Sequence, residues 1–566
     1  MFKHQTFLPF EIPRLKSRNM RIGEQGFLRR SFSTVPDDFF RIYQNDFLNL
    51  KVEFQQDKSH ARVHLYTNID CDQNEWQELE FKEEETGIHA LSYRVRQCGS
   101  YQFKLKYSMD QGKTWYWDRV PFSHVIVDPE ASKDIRMYTL IHPVSGTMRD
   151  WIDLLPHISG LGFNAVHLLP ITRLDFSQSP YSAHDLFAID DAYIEEDNSF
   201  GFALFEKFVG NAMERGIRLC FDLVLNHVGV GSSMVQMCPE WIMPDNSEKD
   251  GLKRAGCWHM NAWLKWGDLV KIYYDHPNPD IRGDIWDYMT KYALFWSHFA
   301  SLTGGMVRLD NLHSSHEGFI SHLLDTLRSV YPNLVVMAEL FTDSNTMLKK
   351  AGEGQINLFL ANQWEYPYAA DLRSYLGYLH HINRKVLFFL PVTTHDTGTP
   401  AQLFGKAEAA VPRYAVTALM GTGQTGIVQG VEHGYGKKID FIGRQEKLMF
   451  QENRYIAEKI KIINEILADS SVFHRGGNLE FIDGHHGAVL GAIRLPEKDE
   501  DETYLIFANL DIHSGYTLRF DLSSFIRNTN RIQLEDRMSG TRYESTVHDM
   551  KVDIGPCDVI ILKIMD

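Results

Sequence analysis

The sequence predicts an α/β protein: a (β/α)8 TIM barrel with an N-terminal β-sandwich before it and a C-terminal antiparallel β-sandwich after it. Three observations predict this. From about residue 132, segments with apolar residues three and four apart alternate with short apolar runs, the mark of helices and strands in turn. Those runs are apolar throughout rather than at every second residue, so the strands are covered on both faces, as in a parallel sheet flanked by helices. On either side of this region the pattern becomes short polar–apolar alternation broken by turns, which suits antiparallel sheets.

Before the barrel, "ARVHLYT", "LSYRVR" and "YQFKLKYS" alternate, and Asp110-Gln111-Gly112 fits a hairpin loop. The texture changes near Pro129, and "RMYTLIHPV" reads as the first barrel strand. "DWIDLLPHISGLG" has helical spacing and a glycine stop and leads into "FNAVHLLP"; "LFEKFVGNAMERG" leads into "IRLCFDLVLNHV". The unit recurs as "IWDYMTKYALFWSHFASLTGG" before "MVRLDN" and as "GFISHLLDTLRSVYPN" before "LVVMAEL". "INLFLAN", "KVLFFLPVTTHD" and "TGIVQG" complete eight strands. The expected domains are 1–131, with a leading arm; 132–471, with an insertion of about 229–279 after the third strand that holds Trp241, Trp258, Trp263 and Trp266; and 472–566, where alternation returns in "TYLIFANLDI" and "DVIILKI".

A chain of 566 residues with 44% hydrophobic and 23% charged residues has the material for a large core in two to four domains. The formal net charge of -16 argues against nucleic acid as partner, since binding a polyanion depends on Lys and Arg neutralising phosphates. The six cysteines are scattered, without the paired spacing of a zinc site or redox dithiol, and "CWHM" at Cys257 lacks a second pair. No run has the length of a signal-peptide core or a membrane span, so the expectation is a cytoplasmic protein with no membrane partner. "RLKSRNMRIGEQGFLRRSFSTVP" reads as a surface arm. The oligomeric state is not legible.

Active sites of such barrels lie at the C-terminal ends of the strands, and these ends carry chemical residues. The third ends with Asp222, Asn226 and His227, and the fourth with Arg308, Asp310 and His313. The fifth carries Glu339, and the seventh ends at His395 and Asp396. Four neighbouring ends each bearing an acid are costly to bury without a use. Converging carboxylates without a phosphate loop or metal cluster suit glycosidic bond cleavage, in which one carboxylate attacks the anomeric carbon and a protonated second one donates to the leaving oxygen. Arg308 and Asp310 project from the same strand face, so Arg308 is expected to lower the pKa of Asp310, and Glu339 to be the acid, raised by burial and like charges. Asp396 is placed to bind sugar hydroxyls, with His227 and His395 hydrogen-bonding beside it.

"DLVLNH", "VRLDN", "MAEL" and "THD", in this order and on these strands, resemble the four signature stretches of the α-amylase family, glycoside hydrolase family 13, and "SPYSAHDLFAIDDAY" after the second strand is similar too. The resemblance covers the barrel and the C-terminal sandwich. It implies Asp310 as nucleophile, Glu339 as general acid/base and Asp396 as transition-state stabiliser, with Arg308, Asp222, His227 and His395 as substrate-binding supports and Tyr181 as the aromatic under the sugar at the cleavage site. In many members a calcium ion is bound by the residue matching Asn226; the resemblance implies no other cofactor. "RLDNLHSSH" and "MAELFTDS" are closest to the 4-α-glucanotransferase half of glycogen debranching enzymes, while "RGDIWDYMTKYALFW" resembles maltosyltransferases that use maltose 1-phosphate.

The expected partner is therefore an α-1,4-glucan of the glycogen or starch type. Sequence leaves transfer to a second sugar and release to water open, since both share the covalent intermediate and differ in what attacks it. A second class, a catalytically silent carbohydrate-binding protein on the same scaffold, is weighed against the retention of all three carboxylates. "WYWD" at Trp115–Asp118 reads either as a sugar-stacking surface or as ordinary packing against its own sheet.

Overall fold

The computed structural model describes residues 39–54, 61–72, 75–194, 201–259, 262–443, 445–476, 478–482, 487–496, 502–527 and 529–565, together with the short strands Gln5–Phe7, Arg18–Arg21 and Phe27–Arg30. The arm expected near the N-terminus falls largely outside them. The chain forms two compact units, residues 1–132 with 344–357, and residues 133–343 with 358–566.

In the first unit, Arg62–Thr67 and Ser123–Asp128 flank Gly99–Ser108 antiparallel, and Phe39–Tyr43 adds to Ser123–Asp128 in parallel. A second sheet pairs Phe47–Phe54 with Ile88–Arg94. Every second residue of Phe47–Phe54 and of Arg62–Thr67 is buried, and Leu50, Val52, Val63, Leu65 and Phe103 from both sheets share one core. Within this unit Arg41 is fully buried. Its Nε donates to Asp128 Oδ2 (3.0 Å) and its Nη2 to the carbonyl of Ile356 (2.7 Å), so a strand of the sheet and the segment 344–357 hold one cation between them.

In the second unit eight parallel strands close a barrel in chain order: β1 (Ile135–Leu140), β2 (Ala165–Leu168), β3 (Arg218–Leu223), β4 (Met306–Leu309), β5 (Val335–Ala338), β6 (Leu358–Leu360), β7 (Phe388–Pro391) and β8 (Gln424–Val428). Each coincides with one of the predicted apolar runs. β2, β4, β5, β6, β7 and β8 are buried at every residue, the consequence of helices outside and packed side chains within. The helix Met148–Gly160 shows how local chemistry sets an element: Thr147 and Asp150 form a capping box, and Met148, Trp151, Leu155 and Ile158 make the buried stripe. Gly162 turns the chain out at φ 84°, a left-handed conformation that suits glycine.

The insertion after β3 contains the strand His227–Gly229, which pairs with the hairpin Arg254–His259/Ala262–Lys271, and the chain returns through the helix Pro279–Leu302. At the C-terminal end of this unit, six antiparallel strands between Asn478 and Met565 and the antiparallel pair Tyr516–Phe520/Met550–Ile554 bury a common cluster that includes Ile493, Phe507, Leu518, Val552 and Leu562.

Candidate active site

The register of β3 against β4 makes Asp222 and Arg308 direct neighbours. Residues paired in a parallel ladder face the same side, so both point into the barrel and a two-residue step brings Asp310 to the same face. The Arg308 guanidinium is the centre of the site. Its Nη1 donates to both oxygens of Asp222 (2.9 and 3.0 Å) and lies 3.4 Å from Asp310 Oδ1, while its Nη2 is 2.9 Å from Glu339 Oε2. Asn311 adopts a left-handed turn (φ 45°, ψ 49°) directly after Asp310, which aims its backbone N–H at the same Glu339 oxygen (2.9 Å). A non-glycine residue in this region costs roughly 1–2 kcal/mol, and here the turn is what brings the β4 end to the Glu339 carboxylate.

Tyr181 joins the second wall. Its hydroxyl donates to Asp222 Oδ2 (2.7 Å); with its one proton so committed, it accepts from His395 Nε2 (2.7 Å), and the two rings lie parallel at 8°. His395 Nε2 is also 3.1 Å from Asp396 Oδ2, an exposed carboxylate. One connected network thus brings together seven residues singled out in the sequence: Asp222, Arg308, Asp310, Glu339, Tyr181, His395 and Asp396. Tyr181 is held beneath the mouth by polar bonds rather than lying free on a loop.

Three others lie beside this network without a side-chain hydrogen bond or ion pair to it. His227 is buried, its ring edge against Trp266 of the insertion, and burial brings its pKa down to about 4. His313 lies in the turn after β4, exposed, and burial of part of the ring outweighs the Glu339 charge and lowers its pKa. Asn226 is buried, with its carbonyl taken by the Ile272 N–H. Among the described residues no group of three His, Cys, Asp or Glu side chains gathers at Asn226. The Trp258 side chain lies outside the described residues; Trp263 is exposed at the hairpin. In the first unit Trp115 packs against His64 and under Lys106, whereas Trp117 is exposed.

The electrostatics correct one expectation. Burial alone pushes the Asp222 carboxyl up, but the Arg308 guanidinium, with His167 and His395, takes it far below the ordinary carboxylate range. Asp310 goes the other way: burial first, then the Glu339 charge, raise it well above that range, and Arg308 does not reverse this. Arg308 gives its two short contacts to Asp222 and Glu339; its charge acts on Asp310 in the expected direction but is outweighed by burial and the Glu339 charge.

His167 on β2 was not singled out from the sequence, though its presence in the apolar run "FNAVHLLP" was a signal. Its Nε2 is 3.3 Å from Asp222 and its Nδ1 is 3.2 Å from the Thr139 hydroxyl. Phe441, edge-on to both Tyr181 (6.1 Å) and His395 (5.4 Å), comes from the segment after β8 and gave no local signal.

The family model described as "Glycogen debranching enzyme, glucanotransferase domain" matches residues 131–244 and 241–335, which include β1 to β5 with Asp222, Arg308 and Asp310. An α-1,4-glucan:maltose-1-phosphate maltosyltransferase of Cereibacter sphaeroides is 25% identical over 438 residues, 70% of this chain and 61% of that protein. The chain is thus similar, over its barrel, to proteins of the α-amylase family. It is also similar to a cyclomaltodextrinase of a Bacillus species, 25% identical over 36% of this chain and 35% of that protein. The chain spans about 61% of the length of the first maltosyltransferases it matches. Its fold is that of the Geobacillus thermoleovorans α-amylase (TM-score 0.61, 15% identity, 76% of this chain and 98% of that one) and of the Nostoc punctiforme debranching enzyme (TM-score 0.59, 16% identity, 77% and 99%).

Proposed function

We propose that the chain is a retaining enzyme that cleaves α-1,4-glucosidic bonds of glycogen- or starch-type chains and passes the released segment to another glucan or to water. One observation carries this reading: Asp310 and Glu339 sit at the barrel mouth on the two terminal nitrogens of a single guanidinium, close enough to flank one glycosidic bond. In the first step the one proton that this crowded pair holds lies on Glu339, so Asp310 attacks the anomeric carbon as a carboxylate while Glu339 gives that proton to the departing glycosidic oxygen. In the second, Glu339 takes the proton of the incoming hydroxyl as its oxygen displaces Asp310, so the configuration is retained. Arg308 offsets the charge of the attacking Asp310 carboxylate, and Asp396, on the exposed side of His395, is free to take sugar hydroxyls.

Incubation of the protein with maltoheptaose tests the reading. Products longer than the substrate mean transfer, shorter products alone mean hydrolysis, and no turnover sinks it, leaving a maltosyltransferase or a silent binding protein. A second reading, maltosyl transfer from maltose 1-phosphate, is favoured by the names of the relatives matched over 70% of the chain. Release of inorganic phosphate from maltose 1-phosphate with a maltodextrin acceptor, without disproportionation of maltoheptaose alone, would select it. No calcium requirement enters either reading, and addition of calcium is expected to leave turnover unchanged.

A further inference from the structure

Away from the mouth, His157, Glu432 and His433 form a second cluster of titratable groups. Glu432, in the turn after β8, is fully buried, and among the described residues its ion-pair partners are two imidazoles: His433 Nε2 at 3.4 Å and His157 Nε2 at 3.8 Å from Oε1. A buried carboxylate without a lysine or arginine is costly unless something else supplies the positive charge. The carboxylate is also oriented from behind: Tyr138 of β1 donates to Oε1 (2.6 Å) and the Gly430 N–H to Oε2 (2.9 Å). The two imidazole rings are within 7° of parallel, and His157 Nε2 makes no hydrogen bond.

We propose that His157, Glu432 and His433 bind a divalent transition-metal ion of the zinc class. The three donor atoms lie within 4.8 Å of one another. A zinc ion about 2.0–2.1 Å from each nitrogen and oxygen donor sets tetrahedral ligands roughly 3.4 Å apart, close to the 3.4 and 3.8 Å found. Two imidazoles and a carboxylate suit zinc chemistry, and the Tyr138 and Gly430 bonds are the outer-shell support that orients such a ligand. The side chain of His157 is 37% exposed, which leaves the ion a route in and a fourth position for water.

The site has a structural consequence. His157 is on the helix after β1 and Glu432 just after β8, so the ion would clip the seam at which the barrel closes. From that seam the chain runs on through Phe441, whose ring packs on Tyr181 and His395, and Leu448, whose N–H bonds to the Val144 carbonyl. The bound ion would fasten the base of a segment that walls the active site.

The test uses the full chain stripped with EDTA and titrated with zinc, and separately with cobalt, whose visible absorption reports coordination. One equivalent per chain is expected, with tetrahedral cobalt bands. His157→Ala and His433→Ala are each expected to weaken binding at least tenfold while retaining the circular dichroism and melting of the metal-free protein. Zinc should also slow amide hydrogen exchange over residues 430–450. Failure to bind an equivalent, or equal affinity in both folded variants, overturns the proposal.

Discussion

At Asp310 the carboxyl is buried beside the Glu339 charge, and both drive its pKa above the ordinary value while Arg308 opposes them from 3.4 Å. A group whose folded pKa lies above its unfolded one contributes stability that is complete below the unfolded value and is lost as pH rises through the folded value. Asp310→Asn keeps the neutral form at every pH. It should therefore melt higher than the parent at neutral pH, by a margin that shrinks as pH falls toward 4, while losing glucan cleavage; thermal melts across that range check it. Asp222 has the opposite sign, since its depressed carboxyl contributes stability above the unfolded value that is lost only in strong acid. Asp222→Asn leaves buried Arg308 short of its nearest anion and is expected to lower stability by about 3–5 kcal/mol in urea unfolding at pH 7. For Glu339→Gln, removal of the proton donor is expected to slow turnover on the order of 10²–10⁴-fold with the circular dichroism of the folded protein retained.

The element that matters most is the β3–β4 pair, whose register makes neighbours of Asp222 and Arg308. Gly305, at the start of β4, allows the close approach: a Cβ there would sit 2.1 Å from the Leu219 carbonyl oxygen. No side chain can rotate away from backbone, so Gly305→Ala must push the strands apart. An overpacking cost of about 1–3 kcal/mol is expected, with a fall in activity larger than that of a surface glycine variant such as Gly160→Ala. At this scale the sequence was informative. Six of the eight strands lie within the apolar runs that announced them, and β1 and β8 begin one residue earlier, because burial on both faces leaves no polar alternation. The runs overstate the strands at their ends: "KVLFFLPVTTHD" yields ladder only over Phe388–Pro391, since the chain must leave the sheet for Thr394, His395 and Asp396 to reach the mouth. The turn at Asn311 was not legible, since asparagine favours the left-handed region without demanding it.

For the whole molecule, the division into units cuts across chain order. Residues 344–357, between β5 and β6, belong to the compact unit that contains residues 1–132, a grouping no linear boundary near 131 could give. Arg41 anchors it, bonded to Asp128 and to the carbonyl of Ile356, and Asn357 donates to the other Asp128 oxygen (2.8 Å). Arg41→Ala leaves Asp128 buried without its cation, and a loss of about 3–5 kcal/mol is expected, seen as an earlier unfolding transition and faster proteolysis within residues 344–357.

By itself the sequence determined the barrel, the order of its strands and the acids on their ends, because helical and strand periodicity and the polarity of a strand end are written in neighbouring residues. Only the tertiary structure decided how charge is shared there. Which carboxylates Arg308 holds closest, which bonds Tyr181 makes across 41 and 214 residues of chain, and which imidazoles meet Glu432 depend on distances between segments far apart in sequence, and no local pattern encodes those distances.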